Sequence, residues 1–166
     1  MGTLTNNGTI QVTGQGSTAI YNYNYWANDP LPVIDNITNN GTISSDDFGI
    51  YNEGTITTIT NTGSIISINQ SAIWNDQGNI TTLNNAQGAG SVYGPLTFSG
   101  NLPSFYNIII NSPTNYGQLL ATTPSGSTSF GVHNTSVITS RLYSGVLQGL
   151  TDLYVGATRT GTYDGM

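Results

Sequence analysis

The chain has 166 residues, of which only 6% are charged, and two basic residues against eight acidic ones give a net charge of −6. That length allows one domain with a sizeable core, and the scarcity of basic residues excludes the cationic patch that nucleic-acid binding requires. Without cysteine there are no disulfides, thiol nucleophiles or cysteine metal sites, and no apolar run is long enough for a membrane-inserting helix.

A seven-residue phrase recurs along the N-terminal half. It reads LTNNGTI at residues 4–10, ITNNGTI at 37–43 and ITNTGSI at 59–65, and it fades as LNNAQGA at 83–89. Gly41 and Gly63 of the second and third copies stand 22 residues apart, and Gly88 of the last copy follows after 25. A period of about 20–25 residues is typical of one turn of a β-solenoid, in which each turn buries its apolar side chains by stacking on the next.

Each turn reads as three short strands separated by corners rich in Gly, Asn and Asp. After the repeated phrase comes an apolar–aromatic–Asn triplet at residues 20–22, 50–52 and 73–75, and a further strand follows at 55–59 and 79–83. This order predicts an all-β, right-handed parallel β-helix of about four turns, with three strands per turn.

Aligning the copies places apolar side chains in three interior ladders. The predicted ladders are Ile10, Ile43 and Ile65; Ile20, Ile50 and Ile73; and Ile37, Ile59 and Leu83. The same alignment puts Asn6, Asn39 and Asn61 at matching corners, where their side-chain amides are expected to stack.

The first turn is the longest, with 33 residues from Gly8 to Gly41, and the excess lies at residues 23–30. We interpret these residues as a loop between the second and third strands. Tyr21, Tyr23, Tyr25 and Trp26 cluster there as a candidate interaction surface, because aromatic side chains on a protruding loop stack on sugars or on another protein. Shielding of the open end of the helix is the alternative role. Protein contact or shielding is favoured over sugar binding, because the repeat places no acid or amide beside these rings.

The repeat is lost from about residue 91, and Gly94 and Pro95 mark the change. We divide the chain into β-helix repeat turns at residues 1–93 and a β-rich C-terminal capping module at residues 94–166 that continues the helix. Strands are expected at 106–110, 118–121, 129–132 and 136–138, whereas 142–150 fits either a strand pair or a short helical turn. A terminal module of this kind is expected because the end of a solenoid must be covered.

Both parts of the chain resemble the passenger region of bacterial autotransporters, the type V secreted proteins. The Asn-Gly-Thr-Ile repeats are similar to those of such passengers, and GNLPSFYNIIINSPTNYGQL at residues 100–119 resembles the stretch that precedes the membrane β-barrel. YSGVLQGL at 143–150 and GTYDG at 161–165 resemble later pieces of the same region. The resemblance implies a right-handed parallel β-helix whose C-terminal module helps the passenger to fold during secretion. No signal peptide is visible at Met1. This chain is therefore expected to be a processed piece of an exported precursor, and the alternative is a free-standing subunit that has kept only the passenger.

No cluster of residues has the pattern of a catalytic, cofactor or metal site, so we expect no enzyme activity, no cofactor and no metal. Asp46 and Asp47 are the only adjacent acids, and in a turn before a strand they favour a solvated corner over the paired carboxylates of a glycoside hydrolase. His133 is the only histidine and is interpreted as a strand-edge residue, since no Gly-x-Ser-x-Gly elbow accompanies it.

The function expected from the sequence is structural: a stalk or self-associating fibre subunit, extracellular or on the bacterial cell surface. End-to-end self-association is the expected contact, because a solenoid cut between turns exposes unpaired backbone groups. One alternative is an adhesin that binds a cell-surface or glycan ligand, which the aromatic loop favours. Another is a polysaccharide-acting β-helix enzyme, which would need a carboxylate cleft with an arginine that the sequence does not offer.

Overall fold

The computed structural model describes residues 2–23, 25, 30–150 and 155–158, and within these residues it contains strands and no helix. The strands in chain order are β1 (Thr3–Asn6), β2 (Thr9–Val12), β3 (Thr18–Asn22), β4 (Val33–Asn39), β5 (Thr42–Ser45), β6 (Phe48–Asn52), β7 (Thr55–Asn61), β8 (Ser64–Ser67), β9 (Ile73–Asn75), β10 (Asn79–Asn85), β11 (Gly88–Ala89), β12 (Leu96–Asn101), β13 (Phe105–Ile108), β14 (Ile110–Ser112), β15 (Asn115–Gly117), β16 (Leu119–Ser125), β17 (Thr128–Val132), β18 (Leu147–Gln148) and β19 (Val155–Thr158).

Parallel stacking of successive turns builds three sheets. A seven-stranded sheet has the order β1-β4-β7-β10-β13-β17-β19, a six-stranded sheet has the order β3-β6-β9-β12-β16-β18, and a three-stranded sheet has the order β2-β5-β8. Each of the first three turns therefore gives one strand to every sheet. The prediction of an all-β parallel β-helix is confirmed, and the solenoid runs to about five turns, compared with the four that the repeats predict.

The interior is filled by side chains that pair from turn to turn. Ile10 pairs with Ile43 and Ile43 with Ile65 in the three-stranded sheet, while Ile20, Ile50 and Ile73 align in the six-stranded sheet and Ile37, Ile59 and Leu83 in the seven-stranded sheet. All of them are buried except Ile10, which is half-buried on the first turn. The third ladder continues through Tyr106 to Phe130, both fully buried.

Two rows of buried asparagines run beside these ladders, one at each of two corners. The first row joins Asn6, Asn39, Asn61 and Asn85 through side-chain amide hydrogen bonds of 2.8, 2.8 and 3.0 Å. The second row joins Asn22, Asn52 and Asn75 at 2.6 and 2.7 Å. The first row extends the predicted stack by one residue. The second was not predicted, although it occupies the third position of every aromatic triplet.

Glycine completes the first of these corners because the turns approach too closely for a side chain. A Cβ on Gly41 would lie 1.9 Å from the carbonyl oxygen of Gly8, and one on Gly63 would lie 2.0 Å from that of Gly41. The Asn-x-Gly sequence therefore provides a buried side-chain amide, followed by a glycine that allows the backbones of neighbouring turns to come into contact.

The three-stranded parallel sheet stops after β8. The side-chain Oε1 of Gln87 accepts the backbone N–H of Ile65 at 2.8 Å, in the place where a further strand would bond. Beyond this point β11, β15 and β14 form a small antiparallel sheet instead. The predicted boundary at residues 93 and 94 falls between β11 and β12, and parallel pairing crosses it in both larger sheets.

Two of the C-terminal strand predictions differ from the structure. Residues 136–138 form no strand, although the Val137 N–H donates to the carbonyl of Ile110 at 2.8 Å. Residues 142–150 contain no helical turn and only the short strand β18. Here Val146, Leu147 and Leu150 are buried, so these apolar residues cover the last turns from an irregular segment.

Candidate functional site

A group of aromatic side chains lies on the outer surface of the six-stranded sheet, over its first three strands. Tyr21 of β3 pairs with Tyr51 of β6, which pairs with Trp74 of β9. Since successive side chains of a strand point to opposite faces, the isoleucine that precedes each of them points inward and the aromatic ring points outward. Phe48 and Tyr23 join the group, and we call these five residues the aromatic face.

Tyr51 is the centre of the aromatic face. Its ring centroid lies 4.9 Å from that of Trp74, 5.0 Å from Tyr21, 5.8 Å from Phe48 and 6.4 Å from Tyr23. Only 9% of Tyr51 is exposed, compared with 58% of Tyr21 and 38% of Tyr23. Tyr51 therefore supports the outer rings, and the outer rings meet solvent.

The structure brings together three of the four aromatic residues that the sequence marks as an interaction surface. Tyr21 and Tyr23 stack with centroids 4.9 Å apart and planes 10° apart, and Tyr25 meets Tyr23 edge-on at 6.2 Å. Trp26 lies outside the described residues. The sequence reasoning missed Phe48, Tyr51 and Trp74. The signal for two of them was present, since Tyr51 and Trp74 occupy the middle position of the repeated triplet.

Two carboxylates flank the aromatic face, and we call Glu53 and Asp76 the acidic rim. The Tyr51 hydroxyl lies 2.5 Å from Oε1 of Glu53 and 3.1 Å from Oδ2 of Asp76. A phenol has one hydrogen, so it serves one of the two acids at a time. The prediction that the repeat places no acid beside the aromatic rings is therefore wrong, because the corners after the second and third triplets each supply one.

Burial and the acidic rim both raise the pKa of Tyr51. Desolvation, followed by the hydrogen bonds and negative charges of Glu53 and Asp76, raises the pKa of the Tyr51 phenol well above its usual value of 10.0. The pKa of Tyr21 is also raised, first by desolvation and then by Tyr23 and Glu53. The phenols of Tyr51 and Tyr21 therefore stay uncharged at neutral pH.

The two corners that carry the acidic rim differ in length by one residue. Glu53 is followed directly by Gly54, whereas Asp76 is followed by Gln77 and then Gly78. Gln77 has a φ of 59°, the only positive value among the described non-glycine residues. A left-handed glutamine is uncommon, so this corner is held in place by its neighbours while it presents Asp76 to Tyr51.

Shallow grooves lie on both sides of Phe48. One, of about 440 Å³, is bounded by Gly16, Thr18, Tyr21, Phe48 and Tyr51. The other, of about 240 Å³, is bounded by Phe48 and Trp74 and by the polar side chains of Gln70, Ser71, Ser99, Thr122 and Thr123. An aromatic surface thus leads into a surface of hydroxyl and amide groups.

The remaining candidate residues of the sequence have local partners. Oδ2 of Asp46 accepts the N–H of Gly14 at 2.6 Å, and Oδ2 of Asp47 accepts the N–H of Gly16. The two acids therefore hold the loop between β2 and β3. His133 follows β17 directly, and its Nδ1 lies 2.8 Å from Oγ1 of Thr135.

The described residues lack two further kinds of feature. These residues contain no group of three or more His, Cys, Asp or Glu side chains that could hold a metal ion. They also contain no helix that is long and apolar enough to cross a membrane.

Comparisons of the chain with protein-family models, with curated proteins and with solved structures give no match.

Proposed function

We propose that this chain is a structural segment of an extracellular or bacterial surface protein, in which the solenoid serves as a stiff stalk or fibre subunit. The observation that carries the proposal is the pairing of side chains from turn to turn. Apolar ladders and two rows of buried amides run through the first turns with their registers kept. A rod filled in this way resists bending, because any bend must open packed contacts and buried hydrogen bonds together.

The composition supports the same proposal. Only 6% of the residues are charged, and the polar surface is made of Asn, Thr and Ser, which suit stacked strands and tight corners. Without cysteine the fold depends on stacking instead of cross-links. The resemblance to autotransporter passengers adds the expected location outside the cell or on the bacterial surface.

Location and assembly are tested by two experiments. Antibodies against the chain should label intact cells of the source organism, and labelling that appears only after permeabilisation would contradict the proposed location. Electron microscopy of the purified protein then separates the two structural roles. A stalk segment appears as separate short rods, whereas a fibre subunit forms filaments.

A further inference from the structure

We propose that the aromatic face, with its acidic rim, is a binding site for a neutral polysaccharide. The sugar rings lie on the aromatic rings, and the sugar hydroxyls donate hydrogen bonds to Glu53 and Asp76. The site is independent of the structural role proposed above, since a stalk can function with or without a ligand on this surface.

Stacked aromatic rings are exposed on a surface that the core does not use. Tyr21, Tyr23, Phe48 and Trp74 are exposed or half-buried, and Phe48 and Trp74 are in contact with centroids 4.7 Å apart. A contiguous exposed aromatic surface on a soluble protein marks an interaction site. Pyranose rings carry apolar C–H faces, which pack on such rings in the way that other apolar groups do.

The carboxylates of the acidic rim can accept more hydrogen bonds than Tyr51 donates to them. Each carboxylate offers about four lone-pair sites, and the Tyr51 hydroxyl occupies one site on each acid at most. Glu53 and Asp76 are only half-buried, so other donors can reach them. A ligand that combines apolar faces with many hydroxyl donors matches this surface, and a carbohydrate is such a ligand.

Hydroxyl side chains follow the aromatic rings along the outer surface of the same sheet. The outward row that begins with Tyr21, Tyr51 and Trp74 continues in register with Ser99 and Thr123. Neighbouring strands stand about 4.8 Å apart, which is close to the advance of one sugar unit along an extended chain. A polysaccharide laid along the rod would thus meet aromatic rings first and hydroxyl groups further on.

The negative charge of the chain disfavours an anionic ligand. The chain carries a net charge of −6, and the acidic rim lies beside the rings, so an anionic polysaccharide is repelled. Arg141 is the only Arg or Lys in the described part of the chain, and it lies over the ring of Tyr143 in the C-terminal module. A cation cage requires open space between ring faces, whereas the rings here pack against one another.

Titration with soluble oligosaccharides tests the proposal directly. The probes are neutral hexasaccharides of β-linked glucose, xylose and mannose, with oligogalacturonate as the anionic probe and chitosan oligomers as the cationic one. The expected result is binding of at least one neutral probe by calorimetry, with an affinity that is the same at low and high salt. Salt independence is expected because no ion pair forms.

Tyr21→Ala and Tyr93→Ala are a matched pair of variants. Tyr21 is 58% exposed and Tyr93 is 54% exposed on another part of the surface, so both truncations should leave the fold intact. Tyr21→Ala should weaken binding by about tenfold through the loss of one stacking ring. Tyr93→Ala should bind like the parent, and Tyr21→Phe should retain most of the affinity. Circular dichroism and melting curves should confirm that every variant is folded before the affinities are compared.

Three results would overturn the proposal. The first is a folded parent protein that binds none of the neutral probes. The second is an equal affinity in Tyr21→Ala and Tyr93→Ala, which would place the ligand elsewhere. The third is binding only to the charged probes, with a strong salt dependence. None of these results bears on whether the chain lies on the cell surface, so the two proposals can fail separately.

Discussion

At the scale of single residues, buried asparagines connect the turns of the solenoid. Asn52 is fully buried, and its side chain accepts from Asn22 and donates to Asn75. A buried amide is costly to desolvate unless every neighbour is paired. Asn52 meets this condition because its amide serves as both acceptor and donor.

Replacing Asn52 with alanine should therefore cost more than the loss of one hydrogen bond. It leaves the Nδ2 of Asn22 with only the carbonyl of Thr55, at 3.3 Å, as acceptor, and it leaves the Oδ1 of Asn75 without its donor. We therefore expect a loss of about 2–4 kcal/mol in the free energy of unfolding. Asn40→Ala is the control, because Asn40 bonds to Asn7 in an exposed pair and should cost less than about 1 kcal/mol. Urea unfolding measures both variants. Similar losses in the two would show that the row adds nothing beyond surface pairing.

Asp46 and Asp47 stabilise only the loop between β2 and β3, to which they are hydrogen-bonded. The double variant Asp46→Asn/Asp47→Asn keeps an acceptor oxygen at each position but removes the charge that strengthens the bonds to Gly14 and Gly16. Hydrogen exchange at these two amides should become faster, while exchange in β5 should not change. If the double variant lost a glycan-cleaving activity and kept its fold, the enzyme alternative would replace the structural one.

At the scale of strands and corners, stacking depends on a bare backbone at Gly41 and Gly63. Gly41→Ala would push a Cβ to 1.9 Å from the carbonyl oxygen of Gly8, so the two turns must separate. We expect a loss of about 2–4 kcal/mol. Gly8→Ala tests the same chemistry where no atom lies within 4 Å of the new Cβ, and it should change stability by less than about 0.5 kcal/mol. Thermal melts that moved equally in both variants would rule out the stacking explanation.

The same scale shows what the sequence could and could not predict. The 22-residue interval aligns Ile43 with Ile65, and the structure pairs these residues, because a repeat of fixed length must place equivalent side chains one above the other. The end of the three-stranded sheet was not predictable, since Gln87 replaces a strand with one side chain and no pattern distinguishes it from other glutamines. The aromatic face was only partly predictable, because Tyr51 and Trp74 come from later turns than the loop that drew attention.

At the scale of the whole molecule, alkaline pH should weaken the fold. Burial raises the pKa of Tyr106, and burial with the acidic rim raises that of Tyr51, above the usual value of 10.0. Above about pH 10 the unfolded chain loses these protons while the folded chain keeps them. The contribution of the two tyrosines to stability is therefore constant below that pH and falls as the pH rises through it. The fall is at most about 1.4 kcal/mol per pH unit for each tyrosine.

Chemical denaturation at several pH values checks this expectation. The Tyr51→Phe variant has no ionisable group at this position. Relative to its own stability at neutral pH, it should therefore lose stability less steeply than the parent above pH 10. A parent protein whose stability is unchanged up to pH 12, or a Tyr51→Phe variant with the same slope, would show that Tyr51 does not set the alkaline limit.

The asparagine rows also give the rod an electrical direction. All five amide–amide bonds in them run from the Nδ2 of an earlier turn to the Oδ1 of a later one. At the far ends the last Nδ2 groups, those of Asn85 and Asn75, donate to backbone carbonyls instead. Aligned amide dipoles add up as peptide dipoles do in a helix, so the C-terminal end of each row is partially positive and the N-terminal end partially negative. Each row thus has two electrically different ends, and neutral side chains make the difference.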